Sequence, residues 1–157
     1  MINDRKSGGL RRSPLHTLSE SEIEYLKNEI KAIGADESAF VFNKYPSTGY
    51  MDDYDIISIA GDVISDNISG SIHPRDLMSE RAVLAHEYYG HYKYAPSKFD
   101  AGDWRDEFRA SYMAAKNTPN LSDEDRQYLI LDAIERAKEA GVTITYNNFM
   151  RRILHGY

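Results

Sequence analysis

The feature that most constrains the fold is the segment at residues 82–92, AVLAHEYYGHY. On a helix, its apolar and aromatic side chains would cover nearly every side, and such a helix is expected to be buried. Three ionisable side chains, His86, Glu87 and His91, lie in the middle of it. Burying such groups costs free energy unless they are paired, hydrogen-bonded or bound to a metal ion. The segment therefore predicts a buried polar cluster that is compensated inside the fold.

Composition and charge exclude several kinds of site. The 157 residues include no cysteine, which excludes disulfides, thiolate zinc sites and cysteine nucleophiles. The net charge of −6 argues against a nucleic-acid partner. No apolar run approaches the ~20 residues that a membrane-spanning helix needs, and the polar N-terminal stretch has no signal-peptide hydrophobic region. We therefore expect no membrane partner, and a protein that is either cytoplasmic or exported by a non-classical route.

Hydrophobic periodicity predicts a mostly helical α+β fold, with a small sheet before the His-Glu helix. For residues 1–17 we predict a flexible N-terminal arm, and for residues 18–157 we predict a single domain. Ser19, Ser79, Asp103 and Ser122 are the predicted N-caps. The predicted helices cover residues 19–34, 80–94, 103–116, 122–141 and 146–154, and the predicted strands cover 39–42 and 56–60.

The polar cluster has the composition of a metal site. In zinc hydrolases with a His-Glu-x-x-His motif, imidazoles four residues apart bind the metal from one helix face, and the intervening glutamate is the general base. Here His86 and His91 are five residues apart, which separates them by about 140° on a regular α-helix. A π-bulge at residues 88–90 would return both to one face. Alternatively, the helix ends near Gly90 and His91 folds back.

A second interpretation pairs Glu87 with His91, which are four residues apart and share a helix face without any bulge. These two side chains would then be metal ligands or a hydrogen-bonded acid–base pair. A carboxylate-rich ligand set would also suit iron or manganese, although zinc is the favoured ion.

Glu107, on the next predicted helix, is the candidate for a third ligand. It shares a helical stripe with Ala110, Ser111 and Ala114, whose small side chains would let the two helices approach closely. The alternative for Glu107 is an ion pair with a nearby arginine or histidine.

Other polar residues have supporting roles in this hypothesis. Asp103 or Asp106 could orient a ligand imidazole, and Tyr88 is a further candidate neighbour of the site. His73 lies in a loop near the start of the His-Glu helix, and we expect His16 and His155 to be exposed.

The segment His86-Glu87-Tyr88-Tyr89-Gly90-His91, followed by Glu107, resembles the motif of glutamate-type zincins, with one additional residue between the histidines. It is similar in particular to zincin-like metallopeptidase domains of bacterial toxins, effectors and phage-associated proteins, over residues 56–110. The resemblance implies one Zn²⁺ ion held by His86, His91 and Glu107.

The same resemblance implies an activity and partners. Glu87 would be the general base on a water bound to the metal, and the reaction would be peptide-bond hydrolysis. The substrate would be a protein or peptide, with a possible delivery or immunity protein as partner. In zincins a strand beside the cleft binds extended peptide, and residues 56–59 are where this strand is expected.

Two other functions are compatible with the sequence. The chain could be a non-enzymatic phage or mobile-element structural or interaction module, whose His-Glu-His cluster is a polar core network. A metal-independent nuclease using His86 or His91 as acid–base is less favoured because of the acidic net charge.

Overall fold

A computed structural model of the chain describes residues 11–13, 15–65 and 73–156. These residues form one mostly helical α+β fold, which confirms the predicted fold class. The helices are α1 (Glu20–Ala32), α2 (Pro74–Leu77), α3 (Glu80–Ala85), α4 (Trp104–Asn117), α5 (Asp123–Glu139) and α6 (Asn148–His155). The strands are β1 (Phe40–Phe42), β2 (Gly49–Met51) and β3 (Ile56–Ile59). No helix in the described ranges is both long and apolar enough to cross a bilayer.

Four helices begin where the sequence predicts, whereas α2 was not predicted and α6 begins two residues later than predicted. A side-chain oxygen of each predicted N-cap accepts a hydrogen bond from a backbone N–H of the first turn, which satisfies a donor that the helix itself leaves without a partner. These caps are Ser19 on α1, Ser79 on α3, Asp103 on α4 and Ser122 on α5. At α1 the Glu22 side chain also accepts from the Ser19 backbone N–H, completing the predicted capping box.

The sheet has the order β1-β3-β2, with β1 parallel and β2 antiparallel to the central strand β3. The strand β2 was not predicted, and it forms an edge of the sheet among the described residues. Because β3 (Ile56–Ile59) has a neighbour on each side, its backbone has no open edge. The prediction that residues 56–59 bind peptide by strand addition is therefore wrong.

The core lies between the sheet, α1 and the helices of the second half. Leu26 and Ile30 of α1, Ile57 and Ile59 of β3, and Leu84 of α3 are almost completely buried. The α3 helix leads directly into a π-helix, His86–His91, and a short 3₁₀ turn, Tyr92–Tyr94. The π-helix packs against α4, which in turn packs against α5. Three consecutive layers therefore bring distant polar residues towards the His-Glu segment.

The segment before α1 is attached to the domain by a buried arginine. Arg11 is 8% exposed, and its guanidinium donates to the backbone carbonyls of Asp62, Val63, Arg75 and Met78 at 2.7–3.1 Å. Residues 11–13 and 15–17 of the predicted flexible arm thus lie with the folded domain, and the rest of that arm lies outside the described residues.

We expect Arg11→Met to lower the free energy of unfolding by about 2–3 kcal/mol, because it removes the donor to four buried carbonyls. Urea denaturation measures the change. The matched control is Arg12→Met, which breaks a partly exposed ion pair with Glu22 and should cost less than about 1 kcal/mol. Equal losses in the two variants would contradict the anchoring role of Arg11.

Candidate metal centre

The extra residue between the two histidines is accommodated by the π-helix His86–His91. The wider turn places both imidazoles on one face, with ring centroids 4.9 Å apart and the two Nε2 atoms 3.2 Å apart. The predicted bulge is therefore confirmed. The alternative, in which the helix ends near Gly90, is wrong, because His91 still has helical backbone angles.

Glu107 of α4 meets the two imidazoles. Its Oε1 lies 3.1 Å from Nε2 of His86 and 3.3 Å from Nε2 of His91. With the 3.2 Å distance between the imidazole nitrogens, these atoms form a nearly equilateral triangle. Ligands of a tetrahedral zinc ion with bonds of 2.0–2.1 Å are about 3.3 Å apart. The triangle therefore has the dimensions of one face of such a site.

The close approach of the π-helix to α4 depends on Gly90. A Cβ atom at this position would lie only 2.5 Å from the carbonyl oxygen of Ala110 and 2.7 Å from its Cα. On the α4 side the facing residues are small, and Ala110, Ser111 and Ala114 are fully buried. This contact places Glu107 beside the histidines, as the small-residue stripe predicted.

The outer nitrogen of His86 is bound to a serine. Nδ1 of His86 is 2.8 Å from Oγ of Ser111, and Ser111 donates its hydroxyl hydrogen to Oδ2 of Asp132 at 2.6 Å. Because this hydrogen is directed to Asp132, Ser111 can only accept from Nδ1. Burial alone would raise the pKa of Asp132, but Arg136 and other cationic neighbours lower it. The hydrogen bond to Ser111 therefore assigns His86 a proton on Nδ1.

The outer nitrogen of His91 faces a carboxylate. Nδ1 of His91 lies 3.4 Å from Oδ2 of the buried Asp106, whose other oxygen accepts from Ser97 and Arg109. A carboxylate only accepts hydrogen bonds, so Nδ1 is the protonated nitrogen. Nε2 of His91 lies 3.3 Å from Oε1 of Glu107 and can therefore bind either a proton or a metal ion. Partners of this kind orient metal-ligating imidazoles in proteins.

Three potential ligand atoms thus converge in a buried space. His86, His91 and Glu107 are 1–4% exposed, and like partial charges at such distances repel strongly in a low dielectric. Arg136 contributes a cation 3.4 Å from Oε1 of Glu107. Burial alone would raise the pKa of Glu107, but the two histidines and Arg136 hold it well below its usual value. The triangle is therefore a site for a further cation, either a metal ion or a proton on an imidazole.

Glu87 lies beside this triangle and is held by the sheet. It is fully buried, and its Oε1 accepts the backbone N–H of Tyr50 in β2 at 3.0 Å. One of its oxygens lies within 4.8 Å of a nitrogen of each histidine. A fixed carboxylate at this distance could accept a proton from a molecule bound in the triangle, or complete the ligand set.

The remaining predicted residues lie in different places. Asp106 joins the cluster through His91, whereas Asp103 caps α4 and pairs with Arg105. Tyr88 stacks on Phe40 and Tyr92, so that the structure places it in aromatic packing. His73 caps α2, and His16 lies near Glu22 with its side chain partly exposed.

Sequence reasoning missed four contributors, namely Tyr50, Ser111 as a hydrogen-bond partner, Asp132 and Arg136. A signal for two of them existed. Asp132 and Arg136 are four residues apart and share the buried face of α5 with Leu129 and Ala133. A charged pair on an apolar helix face needs partners from another element.

A small cavity and an open cleft lie near His91. A cavity of about 20 Å³, large enough for one water molecule, is bordered by His91, Asp106 and Tyr50. An open cleft of about 350 Å³ shares Tyr50, Asp52 and Ala95 with this cavity. The edge strand β2 therefore borders both the cleft and the buried cluster.

Searches with family models, curated proteins and solved structures gave no match to this chain. The likeness to zincins consequently rests on the His-Glu-x-x-x-His arrangement and Glu107, which do not by themselves identify a family. The function has to be argued from the site.

Proposed function

We propose that the protein is a zinc-dependent hydrolase that acts on a protein or peptide, with the ion held by His86, His91 and Glu107. The observation that carries the proposal is the convergence of three potential ligand atoms, 3.1–3.3 Å apart, in a buried site. A hydrogen bond from Nδ1 of His86 to Ser111 and the contact of Nδ1 of His91 with Asp106 orient the imidazoles so that each Nε2 is available to a metal ion. Two imidazoles and one carboxylate are a protein ligand set typical of catalytic zinc.

Glu87 is the general base in this proposal. A bound zinc ion would supply Lewis acidity, which lowers the pKa of a coordinated water and polarises a carbonyl group. Glu87 accepts the proton as the water oxygen bonds to the carbonyl carbon, and it returns this proton to the nitrogen as the C–N bond breaks. The N–H of Tyr50 keeps Oε1 of Glu87 in place.

The cleft along β2 is where a substrate would approach. It shares lining residues with the small cavity at His91, and its edge strand could present backbone groups to an extended peptide. The same three ligands would also accept iron or manganese. The binding of a delivery or immunity protein to this chain remains a prediction.

A non-enzymatic module is the second candidate, and the near-complete burial of the cluster favours it. In that case a proton replaces the metal ion. A protonated imidazole would donate from Nε2 to Glu107, which also pairs with Arg136. Such a network would favour one specific packing of the core and would take part in no reaction.

Metal content, measured by mass spectrometry on protein purified without chelator, tests the proposal. We expect about one zinc ion per chain and its loss in His91→Ala. The control is His16→Ala, which removes an exposed histidine near Glu22 and should leave the zinc content unchanged. Circular dichroism would verify that both variants fold. A folded wild-type protein that holds no zinc, even after zinc is added, would overturn the proposal.

A further inference from the structure

A chain of buried polar groups leads from His86 across α4 to α5. It runs from Nδ1 of His86 to Oγ of Ser111 at 2.8 Å, and from there to Oδ2 of Asp132 at 2.6 Å. Ser111 and Asp132 are both fully buried. The carboxylate of Asp132 therefore lies two hydrogen bonds away from the proposed metal position.

Two arginines hold Asp132 in its charged form. Nε of Arg75 lies 2.9 Å from Oδ1 of Asp132, and Nε of Arg136 lies 3.2 Å from each of its carboxylate oxygens. Desolvating such ion pairs costs free energy, so that well-packed apolar residues are often equally or more stabilising at such positions. Stability alone therefore does not account for this network, and its contact with Ser111 points to another role.

The charge of Asp132 determines which way the Ser111 hydroxyl points. A carboxylate has no hydrogen to donate, so Ser111 donates to Asp132 and accepts from His86. Without this acceptor, the hydroxyl could rotate and donate to Nδ1 of His86. The imidazole proton would then move to Nε2, where it would point towards His91 and Glu107 and block a metal ion.

We propose that Asp132, acting through Ser111, is a positioning residue that selects the His86 tautomer with the Nε2 lone pair directed into the site. The importance of this selection for zinc binding rests on the proposed function. The tautomer itself is a property of the metal-free protein and can be measured independently.

The first test is long-range ¹H–¹⁵N NMR of metal-free protein labelled at histidine, at a pH above the ordinary imidazole pKa of about 6.5. In the wild type, Nδ1 of His86 is expected to be protonated, with no population that carries its proton on Nε2 alone. In Ser111→Ala and in Asp132→Asn, a population protonated on Nε2 alone should appear. Asp132→Asn could fail to fold because it disrupts the ion pairs with Arg75 and Arg136. Ser111→Ala leaves these ion pairs in place and therefore serves as the second variant.

The second test is zinc affinity, measured by competition with a chromophoric chelator. Both variants should bind zinc about 10- to 100-fold more weakly than wild type, the usual loss when such a partner of a ligand is removed. Asp125→Asn is the matched control: it makes the same change on α5, at a residue that accepts from Ser79. This control should leave both the tautomer and the affinity unchanged.

The outcomes separate the two proposals. An unchanged tautomer in Ser111→Ala, or a wild-type His86 without a proton on Nδ1, would overturn the positioning role. Unchanged zinc affinity in that variant would overturn it as well. A wild-type protein with the expected tautomer that shifts in the variants, but with no zinc binding, would overturn the proposed function and leave the tautomer selection supported.

Discussion

Glu87→Gln is expected to abolish hydrolysis while the zinc content stays near that of wild type. The glutamine has the same shape, and its carbonyl oxygen can still accept the N–H of Tyr50, which Glu87 accepts at 3.0 Å. It cannot take a proton from the attacking water. General-base catalysis contributes about 10²- to 10⁴-fold to a rate, and kcat should fall by this amount. Cleavage is measured on a pool of quenched fluorescent peptides, and then on the single peptide that is cut fastest.

The control for this variant is Glu80→Gln, on the first turn of α3. Glu80 contacts Tyr25 and the backbone of Ser65, outside the metal centre, so kcat should be unaffected. Loss of zinc in Glu87→Gln would identify Glu87 as a ligand instead of a base. Full activity with zinc bound would contradict the base role directly.

Gly90→Ala adds only one methyl group, but it should strongly destabilise the packing of the π-helix against α4. In an exposed helix the change from Gly to Ala stabilises by about 1 kcal/mol. Here the new Cβ would lie 2.5 Å from the backbone oxygen of Ala110, and a backbone atom within a helix cannot rotate away. The π-helix and α4 would have to separate, which moves Glu107 away from both histidines. We expect a loss of about 3 kcal/mol in the free energy of unfolding and the loss of tight zinc binding.

Urea denaturation in the presence of chelator measures this stability without the contribution of the metal. The matched control is Gly141→Ala, at the end of α5, where a Cβ would meet no atom within 4 Å. The positive φ of Gly141, +78°, should still cost about 1–2 kcal/mol, with zinc affinity unchanged. A Gly90→Ala protein as stable as wild type and binding zinc equally well would show that the helices are not held by this contact.

The features that the sequence predicts well depend on residues a few positions apart. The four N-caps are confirmed because a cap bonds to an N–H two or three residues away. The bulge was one of the geometries that the spacing of His86 and His91 allowed, since a wider turn brings them together within a helix. The stripe of small residues on α4 likewise indicated that the face of α4 that carries Glu107 would approach another helix.

The strand β2 could not be predicted from residues a few positions apart. It has only three residues, and it is defined by pairing with β3 and by the bond from Tyr50 to Glu87. Although β3 follows β2 after a short turn at residues 52–55, Glu87 is distant in the sequence, and residues 46–49 themselves were predicted to be a turn. The central position of β3, which excludes the predicted peptide contact, is likewise a property of the assembled sheet.

The sequence by itself determined that His86, Glu87 and His91 would be buried together and would require compensation. Only the tertiary structure decided which groups provide it. Ser111 and Asp132 hold His86, and Arg136 approaches Glu107. These contacts join residues about 20 to 30 positions apart along the chain, and they form only when α4 and α5 pack in one register. The need for compensation follows from the local cost of burying charge, whereas its source follows from packing.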